Sequence, residues 1–338
     1  MKTYFLNLNT LRFIAATMVV IFHIELYKRF YELPNFFYLV FFQIVGKLSV
    51  MVFFVLSGFL ITSLLHNEIE KHKKINFKNF YFKRIFRIWP LYFLILILGF
   101  FIIPHFPSWS EIPNTAFKPV SENFFEKVLL YVFIFPNLAV AYFGEITGTS
   151  QSWLLGTEEQ FYIFWPLLIL FFRKRLIAAM RSVLMFYWMI KLGLGKAGSI
   201  DPQFNVISTF WSLLNINCMV IGDIFAAIFF DQHIKILKIL HNKGLFFFTI
   251  SFLIIGLSFG IKYGFFHYDV YSLNSLGSIS YGVYMYHPAI LPLAIRAGIH
   301  YESNTLIYVI TVGGTFLISA LSYEYFEKYF LKLKSKLA

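Results

Sequence analysis

Apolar stretches long enough to cross about 30 Å of hydrocarbon follow one another along this chain almost without pause. They fall at about residues 10–27, 40–65, 89–103, 128–143, 153–172, 183–194, 206–230, 245–262, 276–298 and 305–325. No Ser/Gly linker, acidic tail or polar block of soluble-domain length interrupts them. Residues 1–338 therefore read as a single membrane domain with no appended soluble domain. The expected fold is all-α, a polytopic transmembrane bundle of about ten helices.

Composition supports that solvent. Only 14% of the 338 residues are charged against 59% hydrophobic, where a soluble chain carries about a quarter charged residues. The net charge of +12 invites a nucleic-acid partner. That class is excluded, because the Lys and Arg gather in short loops between apolar runs, as membrane topology requires. The 45 Phe and 21 Tyr follow from AT-rich codons as readily as from a stacking surface. One cysteine, Cys218, leaves no intramolecular disulfide and no cysteine metal site, and the nine histidines show no metal-ligand spacing. MKTYFLNLNT leads into an apolar run without a small-residue cleavage site, so the first helix is expected to be retained.

Residues 66–88 carry seven Lys and Arg against Glu68 and Glu70, which places that segment, and with it the N-terminus, in the cytoplasm. Further along the same rule conflicts with itself. If every span crosses, the basic stretches 173–175 and 235–243 fall outside; if the fourth is re-entrant, the basic tail does. Pro136 in the fourth span, and Pro288 and Pro292 in the ninth, suggest pairs of half-helices.

Three constellations carry costly side chains. LRFIAATMVVIFH opens with Arg12 and closes with His23. Eleven residues at about 100° each bring both to one helix face, about 16 Å apart. Intramembrane ionisable groups are expensive and so are often functional, although a snorkelling Arg12 and an interfacial His23 are the plainer reading. KNFYFKRIFRIWPLYF sets Lys83, Arg84 and Arg87 just before Trp89 and Pro90 start a span. Such a cluster suits either a polyphosphate or anionic lipid headgroups. SWLLGTEEQFYIFWPLL buries adjacent acids, Glu158 and Glu159, so at least one needs a polar partner unless both mark the helix start. In FFVLSGFLIT, Ser57 and Gly58 suggest close helix approach. In SLGSISYGVYMYHPAI, His287 precedes Pro288 in what reads as small-residue packing ended by a kink.

These pieces, with NCMVIGDIFAA at 217–227 and SYEYFEKYF near the end, resemble in order the acyltransferase-3 family of integral membrane O-acyltransferases, across nearly the whole chain. The resemblance implies a stand-alone multi-pass enzyme of the bacterial cytoplasmic membrane, moving an acyl group from acetyl-CoA or another acyl-CoA to a glycan or lipid-linked saccharide. It implicates Arg12, His23 and Glu158 in catalysis, and Lys83, Arg84 and Arg87 in binding the CoA donor, with no metal. Two departures stand out. The family's usual WSL reads Trp153-Leu154-Leu155, which removes a hydroxyl, and its usual EKP reads Glu327-Lys328-Tyr329. On this reading His23 is the general base for the acceptor hydroxyl, with a covalent acetyl-histidine intermediate equally allowed; Glu158 orients the imidazole or the acceptor, and Arg12 guides the donor or neutralises developing negative charge. The rival class is a secondary transporter with a midplane Arg/His/Glu site.

Overall fold

A computed structural model of the chain describes residues 8–106, 112, 117, 119–230 and 276–336. The described residues are helical almost throughout. In chain order they form α1 (Leu8–Phe30), α2 (Val40–His72), α3 (Phe77–Ile97), α4 (Phe124–Val132), α5 (Pro136–Phe143), α6 (Trp153–Phe171), α7 (Leu176–Ile200), α8 (Asn205–Leu213), α9 (Ile216–Phe230) and α10 (Ser280–His300). After α10, α11 (Asn304–Tyr308), α12 (Gly314–Ser322) and α13 (Lys328–Lys336) run on through π turns at Val309–Gly313 and Tyr323–Glu327. Six of the resulting rods are long and apolar enough to cross a membrane: Leu8–Phe30, Val40–His72, Phe77–His105, Arg173–Ile200, Pro202–Phe230 and Asn304–Leu333. This is an all-α, multi-pass membrane protein.

Several boundaries differ from the sequence reading. The basic segment 77–88 is helix, not loop: Asn76 caps α3 by accepting from the Asn79 N–H at 3.0 Å, and Pro90 lies inside the helix. The fourth span does break, at Ile134, whose φ of 64° is costly for a β-branched residue, before Pro136 opens α5. The ninth does not break, because α10 runs through both Pro288 and Pro292. The seventh divides instead at Asn215, which takes a φ of 43° between α8 and α9. The expected span 245–262 and the basic stretch 235–243 lie outside the described residues.

The chain resolves into two compact units. Among the described residues the first comprises 8–12, 51–75, 158–230 and 276–277. Its core is a backbone-to-backbone crossing of α2 and α9. A Cβ on Gly58 would stand 2.0 Å from the Met219 carbonyl oxygen, and one on Gly222 would stand 2.0 Å from that of Val55. Small residues are what permit such approach in lipid, where packing rather than water exclusion drives association. Beside it, Tyr187 and Trp211 stack at 5.6 Å and exchange hydrogen bonds with each other's backbone carbonyls.

Among the described residues the second unit comprises 13–50, those of 76–157, and 278–336. One end of α1 holds a buried ion pair, Lys28 Nζ to Glu25 Oε1 at 3.0 Å. Glu25 also accepts from the Tyr308 hydroxyl and the Phe36 amide, which satisfies a charge that burial would otherwise make costly. Tyr92 donates to the Tyr131 carbonyl at 2.6 Å, and Tyr281 to that of Ile88 at 3.0 Å, so α3 is fastened to α4 and to α10.

Candidate active site

The second unit brings together two histidines 264 residues apart in sequence. His287 Nε2 lies 3.2 Å from His23 Nδ1, with the rings 4.8 Å apart. The cause of the pairing begins with Pro288. Lacking an N–H, it leaves the Tyr284 carbonyl without its helical partner four residues on. His287 Nδ1 fills that place at 2.8 Å. A carbonyl only accepts, so His287 carries its proton on Nδ1 and presents Nε2 as an acceptor.

The same logic fixes His23. Its Nδ1 lies 2.9 Å from the Val19 carbonyl one turn back, so that nitrogen holds the proton. One N–H thus serves both the Val19 carbonyl and His287 Nε2, and the lone pair of His23 resides on Nε2. His23 is partly exposed while His287 is fully buried. A partly exposed imidazole with its base nitrogen set by a buried acceptor is the arrangement general-base catalysis requires.

The sequence singles out His23 by its cost in an apolar run, whereas His287 reads there as packing beside a kink. The local signal was present, since a histidine immediately before an intrahelical proline stands beside a freed carbonyl. The partner was not legible.

Lys83, Arg84 and Arg87 occupy successive turns of α3 in the second unit; Lys83 and Arg84 are partly exposed, Arg87 is exposed, and the Arg84 guanidinium sits 5.5 Å over the Phe80 ring. Arg12, partly buried, stands in the second turn of α1 and belongs to the first unit.

Glu158 also belongs to the first unit. Its carboxylate accepts from the Ser57 hydroxyl and, at 3.4 Å, from Tyr162. The acid therefore has the polar partner that its apolar surroundings demanded, and α6 is joined to α2. Farther along the same helices, Thr62 accepts from Trp165 Nε1–H at 2.8 Å and passes its own proton to Asp223 Oδ1 at 2.6 Å. Asp223 is fully buried on α9, and nothing in the NCMVIGDIFAA stretch marks it as a member of a polar cluster.

Residues 5–272 match the family described as an acyltransferase domain. The chain is 26% identical over 321 residues to the peptidoglycan O-acetyltransferase OatA of Listeria monocytogenes, covering 83% of this chain and 51% of that protein. It is 33% identical over 134 residues to the O-acetyltransferase OatA of Staphylococcus aureus, covering 38% of this chain and 21% of the other. The chain thus spans about half the length of the Listeria relative, and less of the second. No solved structure matches it.

Proposed function

Because the chain belongs to the acyltransferase-3 family of acyltransferase domains, we propose that it is a membrane O-acetyltransferase moving an acetyl group from acetyl-CoA to a hydroxyl of a cell-surface glycan, with peptidoglycan the leading acceptor. The names of its two relatives support the acetyl group, and that of the Listeria protein supports the acceptor. The observation that carries the chemistry is the His23–His287 pair.

His23 acts as general base. Its Nε2 takes the proton of the acceptor hydroxyl as the hydroxyl oxygen bonds to the thioester carbonyl carbon. The C–S bond then breaks, and the proton on the imidazolium passes to the departing CoA thiolate. A positioned base contributes about 10² to 10⁴ in rate. His287 is a positioning residue: its Nε2 receives the Nδ1–H of His23, holding the tautomer and stabilising the imidazolium that forms. The hydrogen bonds of His23 Nδ1 to Val19 and His287 support assigning Glu158 the positioning of the acceptor.

Lys83, Arg84 and Arg87 hold the CoA phosphates, for which guanidinium forks are suited. Arg12 steadies negative charge on the donor. The protein resides in a bacterial cytoplasmic membrane, receiving the donor from the cytosol and passing the acetyl group to a glycan at or beyond the outer face.

The test is purified protein supplied with radiolabelled acetyl-CoA and peptidoglycan fragments. Wild type should label the glycan and His23→Ala should not; equal labelling by the two overturns the assignment.

A further inference from the structure

One turn beyond His23 on α1, toward the Phe30 end, an acid that the mechanism does not use stands beside a cluster of aromatic rings. Tyr27 is four residues from His23 and shares its helix face, about 6 Å along the axis. Its ring lies 5.9 Å from that of Phe30 and 5.6 Å from that of Phe117, and Phe117 meets Phe30 edge-on at 6.4 Å. Tyr27 is buried, whereas Phe30 and Phe117 are partly exposed.

Phe117 pairs with Glu145 in an isolated parallel bridge. Residues opposite each other in such a pair send their side chains to the same side. The Glu145 carboxylate therefore shares the side on which the Phe117 ring packs against α1, and it is close enough for its charge to act on the Tyr27 phenol. Glu145 is exposed, yet the protein around it strips enough water to raise its pKa above the ordinary carboxyl value. A side chain that water reaches and protein still crowds lines a concavity.

The backbone beneath the acid is fixed. Ser150 Oγ accepts from the Ile146 amide and donates to the Ile146 carbonyl at 2.6 Å, and Ile146 is itself fully buried. A ligand of the carboxylate thus spends little on ordering the segment that presents it.

An ionised carboxylate only accepts, through two oxygens, and its hydrogen bonds are the stronger for its charge. Neighbouring hydroxyls of a sugar supply donors to both oxygens, while the C–H face of the ring lies on an aromatic side chain. We propose that Glu145, with Phe30 and Phe117 beside it, forms a subsite for the saccharide acceptor, the carboxylate accepting from hydroxyls of the sugar whose reacting hydroxyl reaches His23. The proposal rests on the O-acetyltransferase reading for the identity of that ligand. With the N-terminus in the cytoplasm, the Phe30 end of α1 faces outward, the side from which a glycan arrives.

The full chain, purified in detergent, is compared with Glu145→Ala and Glu145→Gln using acetyl-CoA and chitotetraose, a saccharide rich in hydroxyls and free of amines. Glu145→Ala should raise the KM for chitotetraose about 10- to 100-fold, the loss of hydrogen bonds to a charged group. Calorimetric binding of chitotetraose without donor should weaken by the same factor. Glu145→Gln keeps an accepting oxygen and should lose less. The KM for acetyl-CoA and the melting temperature should match wild type in both variants, because the carboxylate makes no hydrogen bond or ion pair among the described residues.

Chitotetraose affinity equal in wild type and Glu145→Ala, or absent from wild type, overturns the proposal. A rise confined to the acetyl-CoA KM would assign the acid to the donor and overturn it equally. Wild type that binds chitotetraose through Glu145 yet transfers no acetyl to it or to peptidoglycan fragments sinks the O-acetyltransferase reading and leaves the subsite standing. Transfer to peptidoglycan fragments with a KM that Glu145→Ala does not move sinks the subsite alone.

Discussion

At the scale of single residues, Pro288 acts through what it lacks. The Tyr284 carbonyl it frees is the anchor that His287 Nδ1 takes at 2.8 Å. Pro288→Ala returns an N–H to that position of α10, where it competes for the carbonyl and releases the ring. The expected result is a kcat lower by about 10- to 100-fold, within the 10² to 10⁴ that a positioned base supplies, with the KM values for donor and acceptor little changed. His287→Gln offers an amide oxygen to the His23 N–H and should lose less than His287→Ala. A merely structural histidine would give the opposite split, with the melting temperature falling and kcat per folded molecule kept. The transfer rate should also fall on acidification, because a proton on His23 Nε2 occupies the lone pair that takes the acceptor's hydrogen. A pH–rate profile on wild type, carried to strongly acidic pH, reads this directly, and the absence of any acid limb there would remove His23 as base. How much of the site was legible follows from the same atoms. An arginine, a histidine and two adjacent acids inside apolar runs announce themselves by their cost, and Glu158 does have the hydroxyl partners that cost implies. The contact of His23 with His287 is a tertiary event between residues 264 positions apart, and no local pattern encodes it.

At the scale of helices, the decisive contacts are made where side chains are missing. Gly58 on α2 and Gly222 on α9 each lie where an added Cβ would meet a backbone carbonyl at 2.0 Å. Backbone cannot swing aside as a side chain can, so Gly58→Ala and Gly222→Ala should each force the helices apart, at about 1 to 3 kcal/mol. Thermal melting in detergent should show both variants below wild type. Gly193 on α7 has nothing within 4 Å of its would-be Cβ, and Gly193→Ala should be neutral or slightly stabilising, by up to about 1 kcal/mol of helix propensity. If all three variants melt alike, the close α2–α9 crossing is wrong. The sequence showed that residues 57 and 58 were small enough for close approach but not what approached them. Prolines misled in one direction and informed in another. Pro136 coincides with a real break, because the chain turns through a positive φ at Ile134. Pro288 and Pro292 leave α10 unbroken, because at Pro288 a side chain satisfies the freed carbonyl. The charged start of α3 read as loop for a similar reason: a helix longer than the hydrocarbon is thick can keep its first turns, with their Lys and Arg, in the polar layer.

At the scale of the whole molecule, hydropathy alone was enough to give an all-α membrane protein, because apolar runs of bilayer length admit few other folds. The number and direction of crossings were less accessible. Short halves such as α4 and α5, and helices carrying Glu158 or His287, dilute the apolar signal on which counting depends. Direction is testable at α2, whose 33 residues at about 1.5 Å each exceed 30 Å of hydrocarbon by enough to leave polar turns at either end. Its His72 end leads into the basic stretch before α3 and should face the cytoplasm; its Val40 end should then face outward. Cys218 is the sole cysteine, so Cys218→Ala gives a cysteine-free background. In that background Tyr38→Cys, at a residue 70% exposed before α2, should react with a membrane-impermeant maleimide on intact spheroplasts. Lys74→Cys, exposed in the turn between α2 and α3, should react only in inverted vesicles. That orientation is what the proposed reaction needs, since it brings the foot of α3, with Lys83, Arg84 and Arg87, to the side where acyl-CoA is made. The reverse labelling pattern would put those cations outside, where no CoA phosphate reaches them, and would end their assignment as the donor site while leaving the histidine pair untouched.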